Sequence, residues 1–331
     1  MKKFISLFIT LTLTAALFVG CNSSGKTVSE EGAPEAIDIN IGGLKGPTSI
    51  GMVKLMEEAK EGKTSNNYTF TIAGSADEVT PKLIKGELDI AAVPVNLASV
   101  LYNNTEGKVQ LLAVNTLGVL YLVERGEGVQ RVQDLKGKTI IASGKSSTPE
   151  YTLNYILKEN GLDPEKDVTI EWKSEHTEVV SALSQNKDAV ALLPQPFVTV
   201  AQSSLKDLRV AVDLTKEWEA LENGSQLITG VLVVRKEFAE ENPEQLQRFL
   251  KEYSESTAYV NENVEEAAQL VEDFDIIKAA VAVKAIPYCN ITYMAGGEMK
   301  SAVEGFLEVL YNQNPKSVGG KLPGEDFYYG N

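Results

Sequence analysis

The chain has 331 residues, 43% of them hydrophobic and 23% charged, with 46 acidic residues against 31 basic ones and a formal net charge of −15. An excess of acid on this scale excludes sequence-independent binding to nucleic acid or to anionic lipid, both of which need cationic surface. One histidine and two cysteines give no usual zinc set, and no Ser-His-Asp arrangement can be traced, so neither a metal, a cofactor nor a catalytic residue is assigned.

Lys2-Lys3 followed by the apolar run Phe4 to Val19 reads as a secretory signal over residues 1–20. The run is short for a spanning helix, which needs roughly 20 apolar residues, and nothing after it is long and apolar enough to span. Leu17-Phe18-Val19-Gly20-Cys21 resembles a bacterial lipoprotein box, with Phe18 where leucine is usual. That resemblance implies lipidation of Cys21, and acyl chains in that number suffice for stable anchoring. Residues 21–36 then form a flexible tether rich in Ser, Gly and Glu. Removal of Lys2 and Lys3 takes the formal charge from −15 to −17. Cys289 is left without a partner, as a small buried hydrophobe.

From residue 37 onward the chain nearly repeats itself at an offset of 100 residues. In the first unit Ile37–Ile41 is a strand, a Gly-rich turn follows, and a helix begins near Pro47 with Met52, Leu55, Met56 and Ala59 on its apolar face. Tyr68–Ile72 is the next strand, and Ser75-Ala76-Asp77-Glu78 is a capping box opening a helix to Lys85-Gly86. Leu88–Val93 is apolar apart from Asp89, as a buried parallel strand should be, and Pro94 opens a further helix. The second unit gives strands at Thr139–Ala142, Val168–Trp172 and Ala189–Leu193, and helices from Thr148-Pro149, Thr177 and Phe197. Glu78-Val79 returns as Glu178-Val179, and Val93-Pro94 as Leu193-Pro194. Gly42-Gly43 with Gly46 is too weak a pattern for a nucleotide fingerprint.

Two β-rich runs, Val109–Glu124 and Gln226–Arg235, belong to neither repeat and bracket the second unit. They are expected to be a pair of crossing strands that joins two lobes and serves as a hinge. Everything after Asn242 reads as helical, and that tail returns to the first lobe. The resulting limits are 37–116 with 230–331 for lobe one and 117–229 for lobe two.

Gly86-Glu87-Leu88-Asp89-Ile90-Ala91-Ala92-Val93-Pro94 resembles the G-E-x-D-x-A-x-x-P stretch of the nitrate/sulfonate/taurine and thiamine-pyrimidine binding proteins. Asp134-Leu135-Lys136-Gly137-Lys138-Thr139-Ile140 resembles the D-L-K-G-K-x-I that begins their second lobe. The resemblance implies an α/β fold of two Rossmann-like lobes joined by two crossing strands, that of a type II periplasmic binding protein, with a helical C-terminal tail. It further implies a monomeric, non-enzymatic, lipid-anchored receptor that passes a small anionic or heteroaromatic solute to an ABC permease with its cytoplasmic ATPase. The same fold carries menaquinone-pathway and pyrimidine-synthase enzymes, against which the signal and the single histidine weigh. A ligand-sensing subunit of a membrane receptor is a third reading.

Ligands of open α/β sheets lie beyond the carboxyl ends of the strands. The candidate ligand contacts of lobe one are therefore Lys45, Gly46, Pro47, Thr48, Ser75, Pro94 and Asn96, with Asn115 and Thr116 in a crossing strand. Those that follow are Lys145, Ser146, Ser147, Thr148, His176, Gln195 and Pro196, with Thr229 in the other crossing strand. Several have plainer uses. Ser75 and Thr148 are caps in the first instance, Lys45 and Lys145 fit solvated lysines better than a clamp, and His176 equally suits a helix end. Tyr151 and Phe197 could stack on an aromatic solute or pack in the core.

Overall fold

The computed structural model describes residues 35–330; the signal segment, Cys21 and the tether through Pro34 lie outside the described residues. The first unit runs β1 (Asp38–Leu44), α1 (Pro47–Ile50), α2 (Val53–Lys60), β2 (Asn67–Ala73), α3 (Ala76–Lys85), β3 (Ile90–Pro94) and α4 (Val95–Asn104). Next come β4 (Val109–Leu117) and β5 (Leu120–Glu124). The second unit runs β6 (Thr139–Ser143), α5 (Thr148–Glu159), β7 (Thr169–Lys173), α6 (His176–Gln185), β8 (Val190–Pro194) and α7 (Phe197–Ser204). It continues through β9 (Arg209–Asp213) and α8 (Leu214–Ala220) to β10 (Ile228–Arg235). The tail holds α9 (Lys236–Glu241), α10 (Pro243–Glu262), α11 (Val264–Asp273), α12 (Ala279–Ala285), β11 (Ile291–Met294) and α13 (Gly296–Gln313).

The strands form two sheets, ordered β11-β4-β10-β3-β1-β2 and β7-β6-β8-β5-β9. Both are mixed rather than wholly parallel. β1 runs parallel to β2 and β3, while β10 runs antiparallel to β3 and β4. In the second sheet β5 is likewise antiparallel to β8 and β9. The reversed strand of each sheet thus arrives directly after the chain has crossed between sheets.

The crossings differ from a simple pair of strands. The first β-rich run breaks at Gly118, where a Cβ would stand 2.2 Å from Thr215 Oγ1 and 3.0 Å from Leu227 Cδ2. The second forms a strand only within the first sheet, and irregular chain from Leu221 to Leu227 makes the return. The two passages pair at Ile228 and Leu117, and Thr229 Oγ1 donates to Leu117 O at 2.6 Å.

The C-terminal region is mainly helical, but the expectation of helix throughout is corrected by β11. Ile291 and Met294 pair with Thr116 and Val114 of β4. Four residues are too few to show an alternating pattern, and only the free edge of β4 makes them a strand. β9 and α8 also had no counterpart in the sequence reading. Asp213 fixes that junction, its Oδ1 accepting from Thr215 N at 3.0 Å and Lys216 N at 3.4 Å.

One face of the first sheet buries Ile39, Ile41, Ala113 and Leu232 against Leu55, Phe249, Tyr253, Val271 and Ile286. The other buries Ala91, Val93, Val114 and Val231 against Val79, Leu83 and Phe306. Each such large side chain contributes about 1.5–3 kcal/mol. Gly42 has a packing role here, since a Cβ would lie 2.6 Å from Leu88 Cδ1 and 2.9 Å from Val79 Cγ1. Asp89, the charge at the start of an apolar run, is held by Asn40 N at 2.9 Å and by Arg235 at 3.0 Å. The second face also takes in Trp218 of α8 and Tyr151 and Tyr155 of α5, so α13 packs against elements of both sheets.

Candidate functional site

The loops after β2 and β3 meet those after β6 and β7. Thr148 Oγ1 at the start of α5 donates to Asn96 Oδ1 in α4 at 3.0 Å, with both residues wholly buried. Gly74, after β2, lies against Glu175, after β7; a Cβ on Gly74 would stand 2.6 Å from the carboxylate.

Between these contacts the first sheet supplies a polar corner. Pro47 starts α1 without needing the hydrogen bond it cannot make, which sets Thr48 over the ends of β4 and β10. A Cβ on Gly230 would lie 2.6 Å from both Thr48 Cγ2 and Asn115 Oδ1 and 3.2 Å from Thr116 Cβ. Asn115 and Thr116 are fully buried, and Thr116 Oγ1 donates to Asn115 Oδ1 at 3.0 Å. The structure therefore brings Thr48, Asn115, Thr116 and Thr229-Gly230 together.

Tyr253 of α10 joins this corner from below. Its hydroxyl is flanked by Asn115 and Thr257, and burial pushes its pKa well up, so it stays protonated. Sequence reasoning missed it, because a tyrosine on the apolar stripe of a helix looks like any core residue.

The other candidates divide by use. Lys45 Nζ lies 3.5 Å from the fully exposed Asp275, an ion pair that water screens almost entirely. Gly46 (φ 149°) turns the chain into α1, and half-buried Pro94 precedes α4. Lys145 and Ser146 stand exposed on the rim. Ser75 and Ser147 occupy the cap positions of α3 and α5. Asn96 is committed on both sides, since its Nδ2 also donates to Ser317 O at 3.1 Å.

Gln195 is turned toward Thr199, whose Oγ1 donates to Gln195 Oε1 at 2.9 Å. It borders a separate groove of about 830 Å³ between α7 and α8 on one side and Lys284, Tyr288 and Asn290 on the other. Pro196 is buried next to it. Among the described residues no cluster of acids, histidines and cysteines is placed to hold a metal ion.

His176 begins α6. Its Nδ1 is 2.6 Å from Ser143 Oγ and its ring centroid 4.8 Å from that of Phe197. Burial lowers its pKa to about 4, so the ring is neutral at pH 7. Below about pH 6.5 the unfolded chain takes up a proton that the folded chain refuses until about pH 4. Folding stability should therefore fall by about 2–3 kcal/mol between those limits, after allowance for partial exposure. Urea unfolding at pH 7.5 and pH 4.5 should show this loss reduced in His176→Gln; an equal loss in the variant would place the effect elsewhere.

Residues 55–285 match the family of the phosphonate periplasmic substrate-binding proteins of ABC transporters. The fold is similar to the crystal structure of an ABC transporter from Parabacteroides distasonis, with a TM-score of 0.72 and 26% identity over 88% of this chain and 98% of that one. It is also similar in fold to the periplasmic aliphatic sulphonate binding protein of Escherichia coli, with a TM-score of 0.69 and 19% identity over 87% and 96%. In sequence, 161 residues are 30% identical to a Bacillus subtilis (strain 168) protein provisionally described as aliphatic sulfonates-binding. That match covers 48% of this chain and 45% of the relative, so the chain spans about half the length of the curated relative it matches. With well over half of its residues matched by the family model, the chain belongs to the phosphonate periplasmic substrate-binding protein family of ABC transporters.

Proposed function

We propose that the protein is the extracytoplasmic solute-binding subunit of an ABC importer. It captures a small solute by closing residues 117–229 onto residues 37–116 and 230–331, and delivers it to a membrane permease driven by a cytoplasmic ATPase. The observation that carries this reading is that two sheets, between which the chain passes at Leu117–Val119 and Leu221–Leu227, present strand-end loops to one another, as the Thr148–Asn96 contact attests. Hinge closure over a solute needs just such a connection.

The names of the relatives support an oxyanion such as a sulfonate or phosphonate, and the sequence resemblance supports a thiamine-pyrimidine-like heterocycle as well. The polar corner of Thr48, Asn115, Thr116 and Thr229 is the floor of the site, with Gly46, Pro47, Ser75 and Pro94 on one wall and Ser147, Thr148 and His176 on the other. Lys2-Lys3, the apolar run and Cys21 support export and lipid anchoring. Cys21→Ala should move the protein from the membrane fraction to the soluble one; unchanged retention would refute the anchor.

The decisive experiment denatures protein purified from its native host and identifies the released small molecule by mass spectrometry. Returned to the empty protein at 100 times its Kd, that molecule should stabilise it by about 2.7 kcal/mol and reduce its radius of gyration. No released solute, together with no compaction by sulfonates, phosphonates, nitrate or pyrimidines, would sink the reading.

A further inference from the structure

We propose that Ser143 is a positioning residue for the solute site: its hydroxyl donates to Nδ1 of His176, fixes the ring proton on Nε2, and so leaves an uncharged hydrogen-bond donor for an acceptor oxygen or nitrogen of the solute. The inference deepens the solute-binding reading above and rests on it. A neutral imidazole carries one proton, on either nitrogen, and the partner of one nitrogen decides which. Ser143 ends β6 and is 3% exposed. Its Oγ lies 2.6 Å from His176 Nδ1 and has no other hydrogen-bond partner among the described residues. If Nδ1 carried the ring proton, it would donate to Oγ and leave the hydroxyl proton without an acceptor. A buried donor left in that state bears the full cost of its lost hydration. The favoured arrangement is therefore Ser143 Oγ–H donating to a bare Nδ1, with the ring proton on Nε2. That bond belongs to the neutral ring, which burial already favours.

Phe197, at the start of α7, holds the ring by its face, with centroids 4.8 Å apart and planes tilted by 41°. An edge on Ser143 and a face on Phe197 together fix the plane of the imidazole. His176 is half-buried, and its Nε2 makes no hydrogen bond among the described residues. Nor is Nε2 one of the buried polar atoms without a partner, so it stands open to an incoming group. The acids beside it in sequence are engaged elsewhere. Glu175 accepts from Thr177 Oγ1 at 3.2 Å and Glu178 from Ser174 N at 2.9 Å.

The repeat shows that the frame does not require this pair. One hundred residues earlier, Ser143, His176 and Phe197 correspond to Gly43, Ala76 and Leu97. Ala76 opens α3 as His176 opens α6, so a helix at that place needs no imidazole. Gly43 has no hydroxyl to offer, and a Cβ there would lie 2.4 Å from Ser49 Oγ. Hydroxyl, imidazole and aromatic face are present together in one lobe and missing together from the other, as the parts of one device would be.

The chain has a single histidine, so full-length protein with isotope-labelled histidine gives one pair of ring nitrogen resonances. At pH 7 the wild type should show a proton on Nε2 and a bare Nδ1. Ser143→Ala should let the proton distribute over both nitrogens, and Ser143→Thr should restore the wild-type pattern. A bare Nε2 in the wild type overturns the inference, as does an unchanged tautomer in Ser143→Ala. The wild-type spectrum needs no variant, so it decides even if Ser143→Ala fails to fold. The binding probe is the small molecule released by the denatured wild type and identified by mass spectrometry. For protein that arrives empty, it is whichever of methanesulfonate, methylphosphonate and nitrate raises the melting midpoint. Added to the empty wild type, the probe should shift the Nε2–H resonance with the proton in place, and Ser143→Ala should bind it about tenfold more weakly. A merely structural Ser143 would lower the melting midpoint of the variant without changing that affinity. That result overturns the inference, and so does an Nε2–H resonance indifferent to the probe. A protein that releases nothing and responds to none of the three counts against the solute-binding reading as well, whereas a wrong tautomer counts against the inference alone.

Discussion

Replacing Trp218 with alanine is expected to lower folding stability by about 3–5 kcal/mol, seen as a fall in melting midpoint on the order of 10 °C. Trp218 is fully buried. Its ring centroid lies 5.1 Å from that of Phe306 in α13 and 4.9 Å from that of Tyr155 in α5. Its Nε1 donates to Ser225 Oγ at 3.1 Å. The indole is therefore a bolt between the tail that covers the first sheet and the helices that cover the second. Removing it leaves a cavity and leaves Ser225 without its donor, and neither side can collapse without moving the other. Thermal unfolding should broaden or split as the two halves lose their coupling. Trp218→Phe keeps most of the apolar contact and should recover more than half of the loss. A shift below about 2 °C for the alanine variant would contradict this account of the bridge.

Gly230→Val should abolish solute binding while costing only about 1–3 kcal/mol of stability. The added Cβ alone meets Thr48 Cγ2 and Asn115 Oδ1 at 2.6 Å, far inside van der Waals contact. Both neighbours are packed from behind, Thr48 within the buried first turn of α1 and Asn115 beside Tyr253, so the strain falls on the polar corner itself. Circular dichroism should stay native, and the solute that accompanies the wild-type protein should be missing from the purified variant. Gly126→Ala is the control, since a Cβ there meets nothing within 4 Å. Retention of the solute by the Gly230 variant would move the site away from this corner.

The repeat made much of this architecture legible. Continuous apolar strands, Pro at helix starts and glycines at helix ends are local signals, and they placed β1 to β3 and β6 to β8 within a residue or three of their observed limits. What escaped was decided at a distance. β11 is a strand because β4 has an unpaired edge. The break at Gly118 follows from Thr215, almost a hundred residues away. Arg235 explains Asp89, and nothing within Leu88–Val93 announces it. The site was legible as a set of loops, but not in the use of each residue. Lys45 and Lys145 match in the repeat and differ in space, because Asp275 comes from the unrepeated tail. Asn96 and Thr148 read as separate loop residues, and only the meeting of the lobes makes them one buried contact.

The exchange of reversed strands also imposes an order on synthesis. A chain emerging N-terminus first has every strand of the second sheet once residue 213 is out, because β5 precedes the unit it completes. The first sheet is different. β10 is an inner strand, between β3 and β4, and is not available until residue 235; β11 follows only at residue 294. Through that interval the apolar edge of β3 has no neighbour, and such edges are what newly made chains use to pair with the wrong partner. The half of the protein made first is thus the half finished last, and the interval between those events is when the emerging chain is most open to mispairing.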